Sequence, residues 1–386
     1  MISLLGRRSI SSVPSSSLAL GFAKHGSPNS VLSVQRITLD PPSPSQITIK
    51  FLAATINPSD VNQIQGTYPI LPAFKKNLLE HNKDEQFAIG GNEGVAEIVH
   101  VGKNVNTQNS WAKVGTRVVM RHAGFGTWRQ FSHATPEDLI PLPHPSLPTE
   151  AAATLMVNPC TAYRMLLDFV PLSPGDVVIQ NGANSAVGQA VIQIARTRGI
   201  KTVNIIRGTL SDGLPRPGLE LLKKKLTDMG ADLVVTEEEM RSRETGAKIL
   251  ELGNGKAPKL GFNCVGGKSG ANVARNLENG GVMVTYGGMS KEPVTAPTSL
   301  LIFKDLQLKG FWMTRWNESC DTDPEREKER IKMIRELSEL VVNKQLLLPE
   351  VESVSIKSTD DLEIVKAAFD KAMRGGSSTK QIIQFA

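Results

Sequence analysis

From Val177 to Arg196 the chain reads Val-Val-Ile-Gln-Asn-Gly-Ala-Asn-Ser-Ala-Val-Gly-Gln-Ala-Val-Ile-Gln-Ile-Ala-Arg. A short β-branched run enters a turn of small residues holding Gly182 and Gly188, and apolar residues at helical spacing follow. This strand–turn–helix order restricts the region to parallel βαβ connections, which are right-handed and lie on a twisted sheet. It is also the layout of a dinucleotide pyrophosphate site. The backbone of such a turn approaches the phosphates closely, and the free N–H groups at the helix start offset their charge. A nicotinamide or flavin dinucleotide is the expected ligand.

Arg207 stands nineteen residues after Gly188, at the end of the run Thr202-Val-Asn-Ile-Ile206. An NAD site usually has a carboxylate there for the ribose 2′-hydroxyl, whereas a guanidinium suits a 2′-phosphate, so the position favours NADP. A solvated arginine at a strand end is the alternative. Downstream the alternation continues. Strands are expected at 177–180, 202–206, 232–236, 259–264, 281–286 and 306–311, with helices at 187–198, 219–229, 244–252 and 270–277, each stopped at or near a glycine. Six strands joined by crossovers imply a doubly wound parallel sheet with its ligand crevice at the strands' C-terminal ends. A charged helix is expected over 323–343, and strand, helix and strand from Glu350 to Phe385.

Before Thr149 the texture is β-rich, with strand patterns at 31–39, 46–53, 94–101 and 116–120 and a short helix at 150–156. The polar stretch Leu71–Phe87 reads as a short helix. Residues 1–30 hold Arg7, Arg8, Lys24 and nine serines, and the first acid in the chain is Asp40. Arg- and Ser-rich, acid-poor composition is that of a mitochondrial transit peptide, here assigned to residues 1–24. The expected division is a first domain over 25–162 and 321–386, with a dinucleotide domain, 163–320, inserted into it.

The formal net charge of +6 falls to +3 once the three leader cations are removed. The remaining basic clusters are short, and neither a helix-turn-helix nor a zinc module is visible, so nucleic acid is not an expected partner. No apolar run has the roughly 18–20 residues that span a bilayer. Three scattered cysteines suggest no disulfide framework.

The segments Asn57-Pro-Ser-Asp-Val-Asn-Gln-Ile-Gln-Gly-Thr-Tyr-Pro69, Gly90-Gly-Asn-Glu-Gly94, Val157-Asn-Pro-Cys-Thr-Ala-Tyr-Arg164, Asn181–Gly188, Tyr286-Gly-Gly-Met289, Gly310-Phe-Trp312 and Ser378-Thr-Lys-Gln-Ile-Ile383 span nearly the whole chain after the leader. In that order the chain resembles the mitochondrial 2-enoyl thioester reductases of the medium-chain dehydrogenase/reductase superfamily. The resemblance implies a Rossmann sheet inserted into a β-rich GroES-like catalytic domain, a homodimer paired through the last sheet strand, and a place in the mitochondrial matrix. It makes Tyr68 the proton donor. Its implied cofactor contacts are Asn158; Asn184, Ser185, Ala186 and Val187; Arg207, Gly208 and Thr209; Tyr286, Gly287, Gly288 and Met289; Phe311, Trp312 and Met313; and Lys380, which otherwise reads as a solvated tail residue. The family commonly has a second arginine close behind the first. Here the next is Arg216, which can serve only if the intervening loop folds back.

The alcohol dehydrogenases of that superfamily bind catalytic zinc through an early cysteine and a histidine in a Gly-His-Glu turn. This chain has Gly91-Asn-Glu-Gly94 and no cysteine before Cys160, so metal-free chemistry is expected. A 2-enoyl thioester suits it. NADPH supplies a hydride for the β-carbon, charge collects on the thioester oxygen, and a side chain protonates the α-carbon. The expected substrates are 2-enoyl groups on acyl carrier protein or coenzyme A, reduced in fatty-acid synthesis. A zinc-free NADPH quinone reductase is the nearest alternative and a nucleic-acid-binding regulator a more distant one.

Overall fold

The computed structural model describes residues 13–105, 109–210, 213–373 and 379–385. The elements begin with β1 (Ser16–Phe22), α1 (Pro28–Val31), β2 (Leu32–Thr38), β3 (Ile47–Thr55), α2 (Pro58–Ile64), β4 (Ala88–Ile89), β5 (Gly94–Val101), β6 (Arg117–Met120), β7 (Phe131–Ala134), β8 (Leu139–Pro141) and α3 (Thr149–Ala153). Next come α4 (Asn158–Asp168), β9 (Val177–Gln180), α5 (Ala186–Thr197), β10 (Lys201–Ile206), α6 (Leu219–Asp228), β11 (Leu233–Thr236), α7 (Arg243–Leu252), β12 (Leu260–Asn263), α8 (Gly267–Arg275), β13 (Val282–Thr285), α9 (Thr298–Lys304), β14 (Gln307–Gly310), α10 (Met313–Ser319) and α11 (Pro324–Val342). The chain ends with β15 (Glu350–Ile356), α12 (Leu362–Met373) and β16 (Thr379–Phe385). Two compact units emerge, one drawn from Met1–Met156, Val351–Arg374 and Lys380–Ala386, the other from Val157–Glu350 and Gly375–Thr379.

In the first unit a sheet ordered β15-β16-β3-β5-β6-β8, with β7 also on β3, accompanies a three-stranded sheet ordered β2-β1-β4. The returning C-terminal segment belongs to this unit's core. Phe369 meets the buried Trp128 edge-on at 5.2 Å, and Ile383 and Phe385 join Leu18, Leu20 and Phe22 in one apolar cluster.

Two expectations for this unit change. Residues 16–22, assigned to a leader ending at residue 24, form β1. It pairs antiparallel with β2 along its whole length, from Ser16 opposite Thr38 to Phe22 opposite Leu32. Leu18, Ala19, Leu20 and Phe22 are all buried. A strand covered on both faces needs neither charge nor alternation, so its composition merges with that of a leader. A leader ending at residue 24 would carry β1 away with it; residues 1–12 lie outside the described residues. Leu71–Phe87 contains no helix either. Lys75 and Phe87 exchange backbone hydrogen bonds at 3.0 and 3.1 Å, Asn77 has a φ of 64°, and Leu79 and Phe87 are buried beside Ala19 and Ile37. The segment is a long turn anchored by two apolar side chains.

The second unit is built on a six-stranded sheet ordered β11-β10-β9-β12-β13-β14, parallel throughout. The chain starts at β9, steps outward to β10 and β11, then returns to β12 on the other side of β9. That reversal is the topological switch point at which open α/β sheets bind ligands. Residues 321–350, expected in the first domain, pack in this unit. Tyr163 Oη on α4 donates to Glu336 Oε2 at 2.5 Å on α11, Arg164 Nη2 donates to Glu329 Oε2 at 2.9 Å, and the Arg164 guanidinium lies 4.4 Å from the centre of the Trp316 ring.

Candidate active site

In the second unit the turn after β9 is shaped by backbone crowding. Gly182 has a φ of 57°, and a Cβ there would lie 2.5 Å from Cys264 Sγ; a Cβ on Gly188 would lie 2.5 Å from the Ala183 carbonyl oxygen. Both positions therefore exclude side chains, and α5 can seat directly on the turn. Ser185 caps the helix, its Oγ accepting from Gly188 N at 3.1 Å. Asn184 is buried, and its carbonyl accepts from Gln189 Nε2 at 2.8 Å. Asn181 ties β9 to β12 by donating to Asn263 Oδ1 at 2.7 Å and accepting from Cys264 N at 2.8 Å. The turn is thus rigid, and the α5 N-terminus projects from a fixed frame.

The neighbouring strands bring most of the expected cofactor residues to the same end of the sheet. Arg207, Gly208 and Thr209 follow β10, Tyr286 to Met289 follow β13, and Phe311 to Met313 follow β14. Tyr286 N donates to Asn263 O at 3.0 Å and Met289 N to Cys264 O at 2.9 Å, which fixes the turn after β13 against β12. Phe311 N donates to Thr285 O at 3.0 Å, and its ring meets Phe169 edge-on at 5.9 Å. Trp312 precedes α10, and Met313 is buried. Asn158 opens α4.

The loop behind Arg207 folds back. Arg216 N donates to Gly208 O and Leu210 N to Leu214 O, both at 2.8 Å, and Thr209 bridges Pro215. The Arg216 guanidinium is held below its ordinary value by burial and by the like charge of Arg207. The backbone bond returns Arg216 to Gly208, the residue after Arg207, and two cations on one loop suit an anion. One carboxylate stands nearby: Glu238 Oε1 accepts from Thr209 Oγ1 at 3.3 Å.

The first unit carries Tyr68 and Lys380. Tyr68 is half-buried, beyond the C-terminus of α2. Burial and the Glu336 hydrogen bond push the Tyr163 phenol far up, and burial does the same for Tyr286. Lys380 is no solvated tail residue. It is buried and donates to Asn57 Oδ1, and burial lowers its pKa while Glu93 and Asp60 act to raise it.

Sequence reasoning missed the polar cluster around that lysine. Asn57 Nδ2 donates to Glu93 Oε2 at 2.9 Å and Thr55 Oγ1 to the same oxygen at 3.0 Å. Asp60 accepts from Asn57 N at 2.6 Å, and burial raises its carboxyl to about 7 against the pull of Asn57, Lys380 and Asn92. Asn57-Pro-Ser-Asp60 has the spacing of a capping box, and this was the signal available in the sequence.

Residues 186–323 match the family described as "Zinc-binding dehydrogenase", and residues 43–144 match "Alcohol dehydrogenase GroES-like domain". The mitochondrial enoyl-[acyl-carrier-protein] reductase of Homo sapiens is 43% identical over 97% of this chain and 90% of its own length. Among solved structures, the mitochondrial 2-enoyl thioester reductase Etr1p/Etr2p heterodimer from Candida tropicalis aligns with a TM-score of 0.84 at 35% identity, covering 96% of this chain and 99% of that one. The Etr1p complex with NADP and crotonyl-CoA aligns equally well at 36% identity, with the same coverage. With that similarity running through both units, the chain belongs to the mitochondrial enoyl-[acyl-carrier-protein] reductases of the medium-chain dehydrogenase/reductase superfamily.

Proposed function

We propose that this protein reduces trans-2-enoyl thioesters, on acyl carrier protein or coenzyme A, to saturated acyl thioesters with NADPH, as a step of fatty-acid synthesis in the mitochondrial matrix. The observation that carries the reading is the fold shared at 36% identity with an enzyme whose complex holds NADP and crotonyl-CoA. The second unit fits the dinucleotide on its own geometry, through the crowded glycine turn, the α5 N-terminus and the Arg207–Arg216 pair. Asn158, Asn184 to Val187, Arg207 to Thr209, Tyr286 to Met289 and Phe311 to Met313 are the proposed contacts from this unit, with Lys380 from the first. NADPH, when bound, supplies the hydride for the β-carbon. Tyr68 holds the proton that the α-carbon takes up, and its phenolate regains one from water. The direct test is loss of NADPH absorbance on adding crotonyl-CoA; oxidation with a simple quinone and none with the thioester would make the protein a quinone reductase.

Arg207 and Arg216 together select the 2′-phosphate. Arg207→Ala should weaken NADPH by roughly 10- to 150-fold, the worth of about 1.5–3 kcal/mol for a hydrogen bond to a charged group, and leave NADH nearly unchanged. Arg216→Ala should act in the same direction. Equal losses for the two cofactors in titrations would remove the pair from the phosphate site.

The proposed homodimer pairs through β14. That strand lies at the sheet edge, exposed at every residue, and Ile302 and Phe303 on α9 are exposed nearby. Gln307 N and Phe311 N point inward to Gly281 O and Thr285 O, so by strand alternation the Leu308 N–H points out along the free edge. Leu308→Pro should therefore block edge pairing while sparing the inner ladder, and shift the protein from dimer to monomer in sedimentation. Wild-type protein sedimenting as a monomer at micromolar concentration would dispose of the dimer.

A further inference from the structure

Residues 65–70, the segment that carries Tyr68, are tied to α2 at their near end by the backbone. Gln65 N donates to Val61 O at 3.0 Å, Gly66 N to Gln63 O at 3.1 Å and Thr67 N to Asn62 O at 2.9 Å. The far end is held by a side chain, Gln63 Nε2 donating to Ile70 O at 2.9 Å. Tyr68 thus sits between two anchors that both belong to one turn of α2.

Gln63 is itself locked. Its carboxamide and that of Asn92 form a reciprocal pair, with Gln63 Nε2 donating to Asn92 Oδ1 at 3.1 Å and Asn92 Nδ2 to Gln63 Oε1 at 2.7 Å. Asn92 Nδ2 also donates to Asp60 Oδ1 at 2.6 Å, and Asn92 Oδ1 also accepts from Gly124 N at 2.7 Å. A carboxylate oxygen demands the donor and a backbone N–H demands the acceptor, so the Asn92 amide has one orientation, which sets that of Gln63. Asp60, Gln63 and Asn92 are all buried. Burying this much polarity gains little net stability over well-packed apolar side chains, but it fixes geometry, because a satisfied network tolerates one arrangement.

The geometry points to Gln63 as a positioning residue for Tyr68, held in place by Asn92 and Asp60. The inference rests on the reading of Tyr68 as proton donor. Freed from Gln63, the Ile70 end of the segment can shift, and misplacing a reacting group by about 1 Å can cost up to roughly 100-fold in rate.

The test is a double-mutant cycle on kcat with crotonyl-CoA and NADPH. Gln63→Met should lower kcat about 10- to 100-fold in the wild-type background, leave NADPH affinity unchanged, and lower it less than about twofold in the Tyr68→Phe background, as expected for residues acting as a unit. An equal loss in both backgrounds, or none in the wild type, overturns the positioning role. Gln63→Glu keeps the size and the acceptor for Asn92 but offers Ile70 no donor. It is read by the same cycle and decides the matter if Gln63→Met does not fold. Full turnover in Tyr68→Phe alone would sink the proton-donor reading before Gln63 is touched, and this inference with it; slow turnover there with additive losses would sink the positioning role alone.

Discussion

A chain cut after residue 24 is expected to lose its folded first unit, whereas one beginning at Val13 retains every described element. The difference is β1. Its seven residues are all paired with β2, Leu20 N donates to Trp128 O at 2.8 Å, and Gly90 N donates back to Leu20 O at 3.2 Å. Burying Leu18, Leu20 and Phe22 contributes about 1.5–3 kcal/mol each. Their loss alone approaches the whole stability of a typical domain, about 5–15 kcal/mol. Deletion also strands the ladder groups of β2 and β4 without partners, each at a further cost. Thermal melting and solubility of the two truncations, expressed side by side, provide the measurement. A cut after residue 24 that melted like the longer protein would show that β1 is dispensable and return residues 16–24 to the leader.

The second unit was the more legible of the two in the sequence. Four of its six strands, β9, β10, β11 and β13, are short β-branched runs, and the expected run at 177–180 coincides with β9. The helices α5 to α8 between them each bury residues of one face, so period and stop signals agree with the tertiary structure, whereas α9, which the sequence pattern did not reveal, has no buried residue. Elsewhere local pattern and tertiary role separate. Leu18 to Phe22 has no alternation because both faces are covered, and basic, serine-rich surroundings made the strand look like a leader. Gln63 and Asp60 are polar residues of the short helix α2, which is not among the expected helices, yet both are buried, because partners distant in the chain satisfy them. The return of Arg216 to Gly208, next to Arg207, depends on a loop that no periodicity encodes. In each case the missing information is which surface covers the residue.

Tyr68→Phe should lower kcat by roughly 10²- to 10⁴-fold, the range over which a positioned general acid contributes. The ring and its packing remain, so folding and NADPH affinity should be nearly unchanged and KM should move much less than kcat; a group acting only in the transition state loses kcat and kcat/KM together. Neither of the other two tyrosines can replace it well. Tyr163 is committed to Glu336, and burial raises its phenol and that of Tyr286, making each a weaker acid. Hydride transfer does not require the phenol, so the variant should still oxidise NADPH in a first turnover, and a long-lived species with an absorbance unlike that of NADPH should accumulate while the α-carbon waits for a proton. Stopped-flow absorbance separates the two phases. A mutant folded by circular dichroism that turned over at the wild-type rate would mean that the proton comes from solvent, and Tyr68 would then be a packing residue of the turn after α2.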